Sequence, residues 1–140
     1  MTSTMTSAQR GASEAAALAG SQHEQVRVAL AQHPTVPPAI LARLAADPSE
    51  RVREQAALNP STPAEVLMLL AEDAIAWVRA SVARNPSTPR SALETLIEHA
   101  PHHRHSDRYV LAVVAGNDSA PVGVRMAAQL LATAPTGRRP

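Results

Sequence analysis

The 140 residues include 45% hydrophobic side chains and a formal net charge of +1, ample for one packed core and short of the strong basic bias of a dedicated nucleic-acid binder. Cysteine is absent, which excludes disulfides, thiolate metal sites, iron–sulfur clusters and cysteine nucleophiles. With no Phe, one Trp and one Tyr, the core has to be assembled from Ala, Val, Leu and Ile.

At the N-terminus, MTSTMTSAQRGASEAAALAG lacks the continuous apolar stretch of a signal peptide, and nowhere do about 18 apolar residues run together. This reads as a soluble, cytoplasmic protein. Residues 1–12 are expected to form a disordered tail, 13–134 a helical-repeat domain, and 135–140 a second disordered tail.

Along the domain, Val26, Val52 and Val78 stand 26 residues apart, each followed by Arg, and a later cycle continues at Val110. Four residues after each Val come Leu30, Ala56, Val82 and Val114, and the next residue is Ala in every cycle. These positions form one buried helical edge. Then come His33-Pro34, Asn59-Pro60, Asn85-Pro86 and Asn117-Asp118, and three residues later Pro37, Pro63, Pro89 and Pro121. The words NPSTP at Asn59–Pro63 and Asn85–Pro89 are thus punctuation in an array.

Proline has no amide hydrogen and pushes the preceding residue out of the helical region, so the helix from Val52 must stop at Asn59. Such a short piece can be wound as an α-helix or as a 3₁₀ turn. The second proline restarts the chain. Thr62 is placed to cap a helix with Pro63 first and Glu65 third, a capping box, and Thr88-Pro89 restarts alike without the glutamate. The restarted helices carry Ile40, Leu41 and Leu44, then Val66, Leu67 and Leu70, then Leu93, Leu96 and Ile97, one apolar stripe each. Register carried backwards puts Leu18 in the column of Leu44 and Leu70, so Glu14–Ala19 should be the second helix of an incomplete, capping repeat. Each unit buries its stripe only against its neighbours. The expected fold is an all-α solenoid of about four repeats.

The columns Asp47, Val52-Arg53, Ala56-Ala57, Asn59-Pro60, Pro63, Leu67 and Leu70, repeated from Asp73 to Leu96, resemble the leucine-rich repeat variant proteins. The resemblance covers roughly residues 15–117. It implies a right-handed superhelix alternating α-helices with 3₁₀ helices and used as a binding surface, with no general activity attached. The cysteine cluster that some members carry ahead of the repeats has no counterpart here. The fourth cycle departs from the pattern, with Leu111 in place of Arg and Arg125 in place of the second Leu. Its second half, Val122 to Ala132, either starts a different register at Val124-Arg125 or forms a terminal capping helix.

Three constellations are candidates for function. Arg27, Arg53 and Arg79 recur at one position, with Asp47 and Asp73 each six residues before an Arg. They form either an internal ladder bridging carboxylates and helix-end carbonyls, or an external row for an acidic segment or a phosphate backbone. All thirteen basic residues are Arg, which suits bidentate pairing and equally suits a GC-rich genome.

The second is an insertion: Leu70 to Val78 spans eight residues but Leu96 to Val110 spans fourteen, so six extra residues fall around 101–107. His102, His103, Arg104, His105 and Arg108 lie here, with His99 just before. The four histidines are weak metal candidates, because zinc needs three or four ligands held in a fixed tetrahedron, and no cofactor is expected. A polar solvated loop, a partner contact or a pH-sensitive cluster are the other readings.

The third pairs Trp77 with Tyr109, which occupy one repeat column together with Gln25 and Arg51. Adjacent repeats should set the two rings side by side, either shielding the core or serving as a binding hot spot. No glycine-rich phosphate loop, strand-turn-helix elbow or activated serine is apparent. The reading is a non-catalytic module binding another protein or peptide through Trp77, Arg79, the His102–Arg108 loop and Tyr109. Nucleic-acid binding through the arginines, or metal chemistry at the His loop, are the alternatives, and no membrane contact is expected.

Overall fold

The structure, a computed structural model, describes residues 4–100 and 105–135, with the His105 side chain outside the description. Among the described residues it is all helical: α1 (Ser7–Ala19), α2 (Glu24–Gln32), α3 (Pro38–Leu44), α4 (Glu50–Leu58), α5 (Ala64–Leu70), α6 (Ala76–Arg84), α7 (Arg90–His99), α8 (His105–Ala115) and α9 (Val122–Thr133). Helices α2, α4, α6 and α8 stack in sequence as one row. On the other side α1 meets α3, α5 meets α7 and α7 meets α9, so each repeat contributes one helix to each side of a solenoid. Between them lie two apolar clusters, Ala19 to Ala56 and Ala57 to Ala128, with Ala45 packed against both.

The repeated valines Val52, Val78 and Val110 are fully buried, as are Leu41, Leu67, Leu93 and Leu96 of the second helices. Leu18 keeps its column but is 47% exposed, with no earlier helix over it among the described residues, while Ala15 and Ala19 supply the buried edge of α1.

The NPSTP words are built differently from the sequence expectation. Asn59 leaves α4 in extended geometry (ψ 121°) ahead of Pro60, as proline requires. Thr62, however, is not the helix cap: its hydroxyl donates back to the Ala56 carbonyl at 2.5 Å, and Thr88 does the same to Val82 at 2.6 Å. Pro63 and Pro89 occupy the N-cap positions themselves, with no side-chain cap, and their carbonyls accept the first amide bonds of α5 and α7. The threonine adds a second donor to a carbonyl in the last turn of the preceding helix, which also accepts the asparagine amide, instead of capping an orphan amide at the start of the next.

Two further expectations are revised. The first helix of each repeat is a nine-residue α-helix in α2, α4 and α6, with i→i−3 bonds at helix ends, such as Val26 N–H to His23 and Val78 N–H to Ile75, and in turns such as Thr62 N–H to Asn59. Burial against both neighbours stabilises what would be marginal alone. The N-terminal segment is helical from Ser7, because Thr6 and Gln9 form a reciprocal capping box at 3.2 and 2.8 Å. Residues 1–3 and 136–140 lie outside the described residues.

Candidate functional site

The arginine column faces the scaffold. Arg27 grips Asp47 in a bidentate pair, Nε to Oδ2 at 2.7 Å and Nη2 to Oδ1 at 3.1 Å, while its Nη1 donates to the Ser21 carbonyl at 2.7 Å. Arg53 repeats the arrangement with Asp73 at 2.7 and 3.2 Å and with the Asp47 carbonyl at 2.9 Å. Each carboxylate also accepts an amide two residues on, Ser49 or Ile75, at 2.9 Å. Every rung therefore ties the first helix of a repeat to the turn before it and to the turn that ends the repeat.

Charge follows from this geometry. Burial acts to raise the Asp47 carboxyl, but the Arg27 guanidinium, the Ser49 amide and the Arg53 charge together hold it below the ordinary carboxylate range. The hydrogen bonds to Asp47 and Asp73 raise Arg27 and Arg53 against the smaller effect of burial.

The third rung changes partner. The column of Asp47 and Asp73 continues at His99, yet Arg79 donates from Nη2 to Asp107 at 2.8 Å, and from Nη1 to the Asp73 carbonyl at 2.7 Å. Asp107 comes from the insertion, which is shorter as a loop than the sequence suggests. Helix α7 runs three residues past Leu96, and α8 begins five residues before Val110, so residues 105–108 are helical. In the fourth cycle Leu111 replaces the arginine and is buried.

A second ladder runs beside the first, and the columns of asparagines hinted at it only as helix breaks. Asn59 donates to the carbonyls of Ala31 and His33 at 2.7 and 3.0 Å, and Asn85 to those of Ala57 and Asn59 at 2.7 and 2.9 Å. Asn117 donates to Ala83 at 2.7 Å. Each Oδ1 accepts the amide of the serine two residues on. The signal was the recurrence of an amide at a position that has to be buried between repeats.

Trp77 and Tyr109 are brought together. The rings lie edge to face with centroids 5.0 Å apart and planes at 61°, and Trp77 is 60% exposed. Arg84, about two turns further along the same face of α6, completes the row: its guanidinium carbon sits 5.7 Å from the Tyr109 ring centroid, and Nη2 donates to the Tyr109 hydroxyl. Sequence reasoning missed Arg84 because it lies in a different repeat column from Tyr109 and reaches it only through the length of both side chains.

The other predicted site residues separate from this row. Arg79 is held inside the ladder with 16% side-chain exposure, and Arg108 reaches the Ala134 carbonyl at the end of α9. Exposed His99 lines an open groove of about 550 Å³ with Asp73, Arg79, Ser106 and Asp107. His102, His103 and Arg104 lie outside the described residues. Among those described, no group of His, Asp and Glu side chains is placed to hold a metal ion. No described helix is long and apolar enough to cross a membrane.

The helix pairs α2–α3, α4–α5 and α6–α7 coincide with three consecutive matches to one family model, the leucine rich repeat variant, at residues 24–49, 50–75 and 76–101. The chain belongs to the leucine rich repeat variant family. No curated protein and no solved structure matches it. As a leucine rich repeat variant, the chain is a repeat module whose fourth pair, α8–α9, lies beyond the matched units. The recurring geometry of its Arg–Asp and Asn ladders within the three matched units belongs to the scaffold, whereas the aromatic row joins the last of these to α8.

Proposed function

We propose that the row Trp77, Tyr109 and Arg84 is the contact surface of a non-catalytic module that binds a segment of another protein. The observation that carries this reading is the exposure of Trp77 on a rigid helix, braced edge-on by Tyr109. An exposed indole on a scaffold of small side chains offers a large apolar area with little rotamer entropy left to lose. Trp, Tyr and Arg are also the residue types that dominate binding hot spots. The arginines Arg27, Arg53 and Arg79 direct their donors into the solenoid, which counts against nucleic-acid binding through them.

Trp77 is the sole tryptophan, so its emission reports on its own occupancy. The test is a random-peptide display selection on the wild type, followed by titration of the selected peptides with Trp77 fluorescence as readout. Peptides should shift the emission and bind the Trp77→Ala/Tyr109→Ala variant at least about tenfold more weakly, equivalent to ~1.4 kcal/mol. A folded double variant that binds the same peptides equally well would remove the row from the proposal.

A further inference from the structure

The geometry points to the kind of segment that the row takes: an acidic stretch in polyproline II conformation, with a proline against Trp77 and, three residues away, a carboxylate on Arg84. This assignment rests on the contact row proposed above and names its ligand. Trp77 and Arg84 stand seven residues apart on α6, which returns them to one face of the helix with a rise of about 10.5 Å between them. The Tyr109 ring bridges the interval, its centroid 5.0 Å from that of the Trp77 ring and 5.7 Å from the Arg84 guanidinium carbon. An apolar anchor and a cationic anchor are thus held at a fixed separation.

The charge of the ligand follows from what surrounds Arg84. The side chain is exposed, spends Nη2 on the Tyr109 hydroxyl and enters no ion pair among the described residues. Helix α6 carries no acidic residue, and Asp107, the one on α8, is bound to Arg79. The donors that remain on the guanidinium form an open fork suited to a carboxylate. A cationic ligand is disfavoured, because Arg84 already lies over the Tyr109 ring.

The separation of the anchors and the character of the surface select the conformation. Among the described residues Trp77 is the one large apolar side chain exposed on α2, α4, α6 and α8. In the neighbouring columns on α4, Arg51 is paired with Glu24 at 3.3 Å and Gln55 accepts from Gln32 at 3.1 Å. An amphipathic helix needs a continuous apolar groove, which this surface lacks. In a β-strand residues i and i+3 point to opposite faces, and i and i+2 are only about 7 Å apart. Polyproline II repeats every three residues with a rise of about 3.1 Å each, so one edge presents side chains about 9.3 Å apart, close to the span from Trp77 to Arg84. Proline also docks on exposed aromatic rings with its backbone already ordered.

The test titrates the full chain, with Trp77 emission as readout, against two end-blocked nine-residue peptides of eight prolines with a central glutamate or a central lysine. Wild type should bind the glutamate peptide at least about fivefold more tightly than the lysine peptide, the upper range for an exposed ion pair. Arg84→Glu, an exposed position whose variant should keep the wild-type circular dichroism spectrum, should invert that order. Peptides from the random selection that depend on Trp77 should carry Asp or Glu three residues from a proline. Equal binding of the two proline peptides, an order that Arg84→Glu leaves unchanged, or Trp77-dependent selected peptides without that pattern would overturn the assignment and leave the row standing. If neither the proline peptides nor any selected peptide shifts the Trp77 emission, the row itself falls, and this assignment with it.

Discussion

Replacing Asn85 with alanine should be among the most damaging single changes in this chain, although it removes no apolar contact. The Asn85 side chain is 1% exposed and makes three hydrogen bonds: to the Ala57 carbonyl at 2.7 Å, to the Asn59 carbonyl at 2.9 Å and from the Ser87 amide at 2.8 Å. Truncation leaves two carbonyls and one amide of the inter-repeat turn without that partner. An intramolecular hydrogen bond contributes about 1 kcal/mol net, and a buried group left unsatisfied costs about 1–3 kcal/mol. Water reaching the half-open turn will recover part of this, so the expected loss is roughly 3 kcal/mol.

The position matters as much as the sum. Asn85 joins the second repeat to the third, near the middle of an array whose stability is nearly a sum of nearest-neighbour terms. Urea unfolding followed by circular dichroism and by Trp77 emission should therefore show a lower midpoint, and the two probes, coincident in the wild type, should separate as the halves uncouple. Asn117→Ala, which breaks one described carbonyl bond and one amide bond, should cost less. A loss under about 1 kcal/mol with coincident probes would refute the view that the asparagine ladder couples the repeats.

Two further predictions concern the ladder and the turn. Asp47 has its folded pKa held below its unfolded value, so the stability it contributes is fully present above the ordinary carboxylate pKa of about 4 and is lost as pH falls through the folded value. Urea midpoints at pH 7 and pH 3 should differ less for Asp47→Asn than for wild type, and equal differences would dismiss the contribution. Thr62→Asp should destabilise by about 1–2 kcal/mol in chemical denaturation, because a carboxylate cannot donate to the Ala56 carbonyl. Were Thr62 a helix cap, aspartate would be an equivalent or better cap and the change would be neutral.

Most of the architecture was legible because a solenoid writes its fold in columns. A residue that recurs every 26 positions meets the same neighbours in each repeat, so the buried valines, the leucine stripes and the proline breaks could be placed without coordinates. What the columns could not give was polarity of bonding. Thr62 can accept an amide proton or donate its own, and which it does depends on whether the proline after it takes the N-cap position. The Trp77–Tyr109 contact was legible for the same reason as the valines, since both hold one column of adjacent repeats. Arg84 was not, because it sits at the far end of α6 and reaches Tyr109 only through the length of two side chains. Nor was the helix before Glu14, whose capping box lies in a stretch of small and polar residues that read as a tail.

The third arginine shows how an interrupted column is repaired, and it can be tested. By register His99 stands where Asp47 and Asp73 stand, but the geometry there is no longer a turn. Asp47 and Asp73 follow the ends of α3 and α5, each with its amide bonded to the leucine three residues before, whereas α7 continues as helix through His99. Arg79 instead meets Asp107, carried in by the early start of α8. Asp107→Ala should then cost about 1–2 kcal/mol, between an exposed pair and a buried one, since the two side chains are 16% and 10% exposed. Adding His99→Asp should recover little of it in urea titrations, because a carboxylate on the extended helix does not occupy the turn geometry that Arg27 and Arg53 use. Recovery of more than half would mean that the column alone, independent of backbone conformation, determines the rung. The insertion would then be a passive spacer, whereas the structure has it supplying the carboxylate that carries the ladder to α8, the helix that also presents Tyr109.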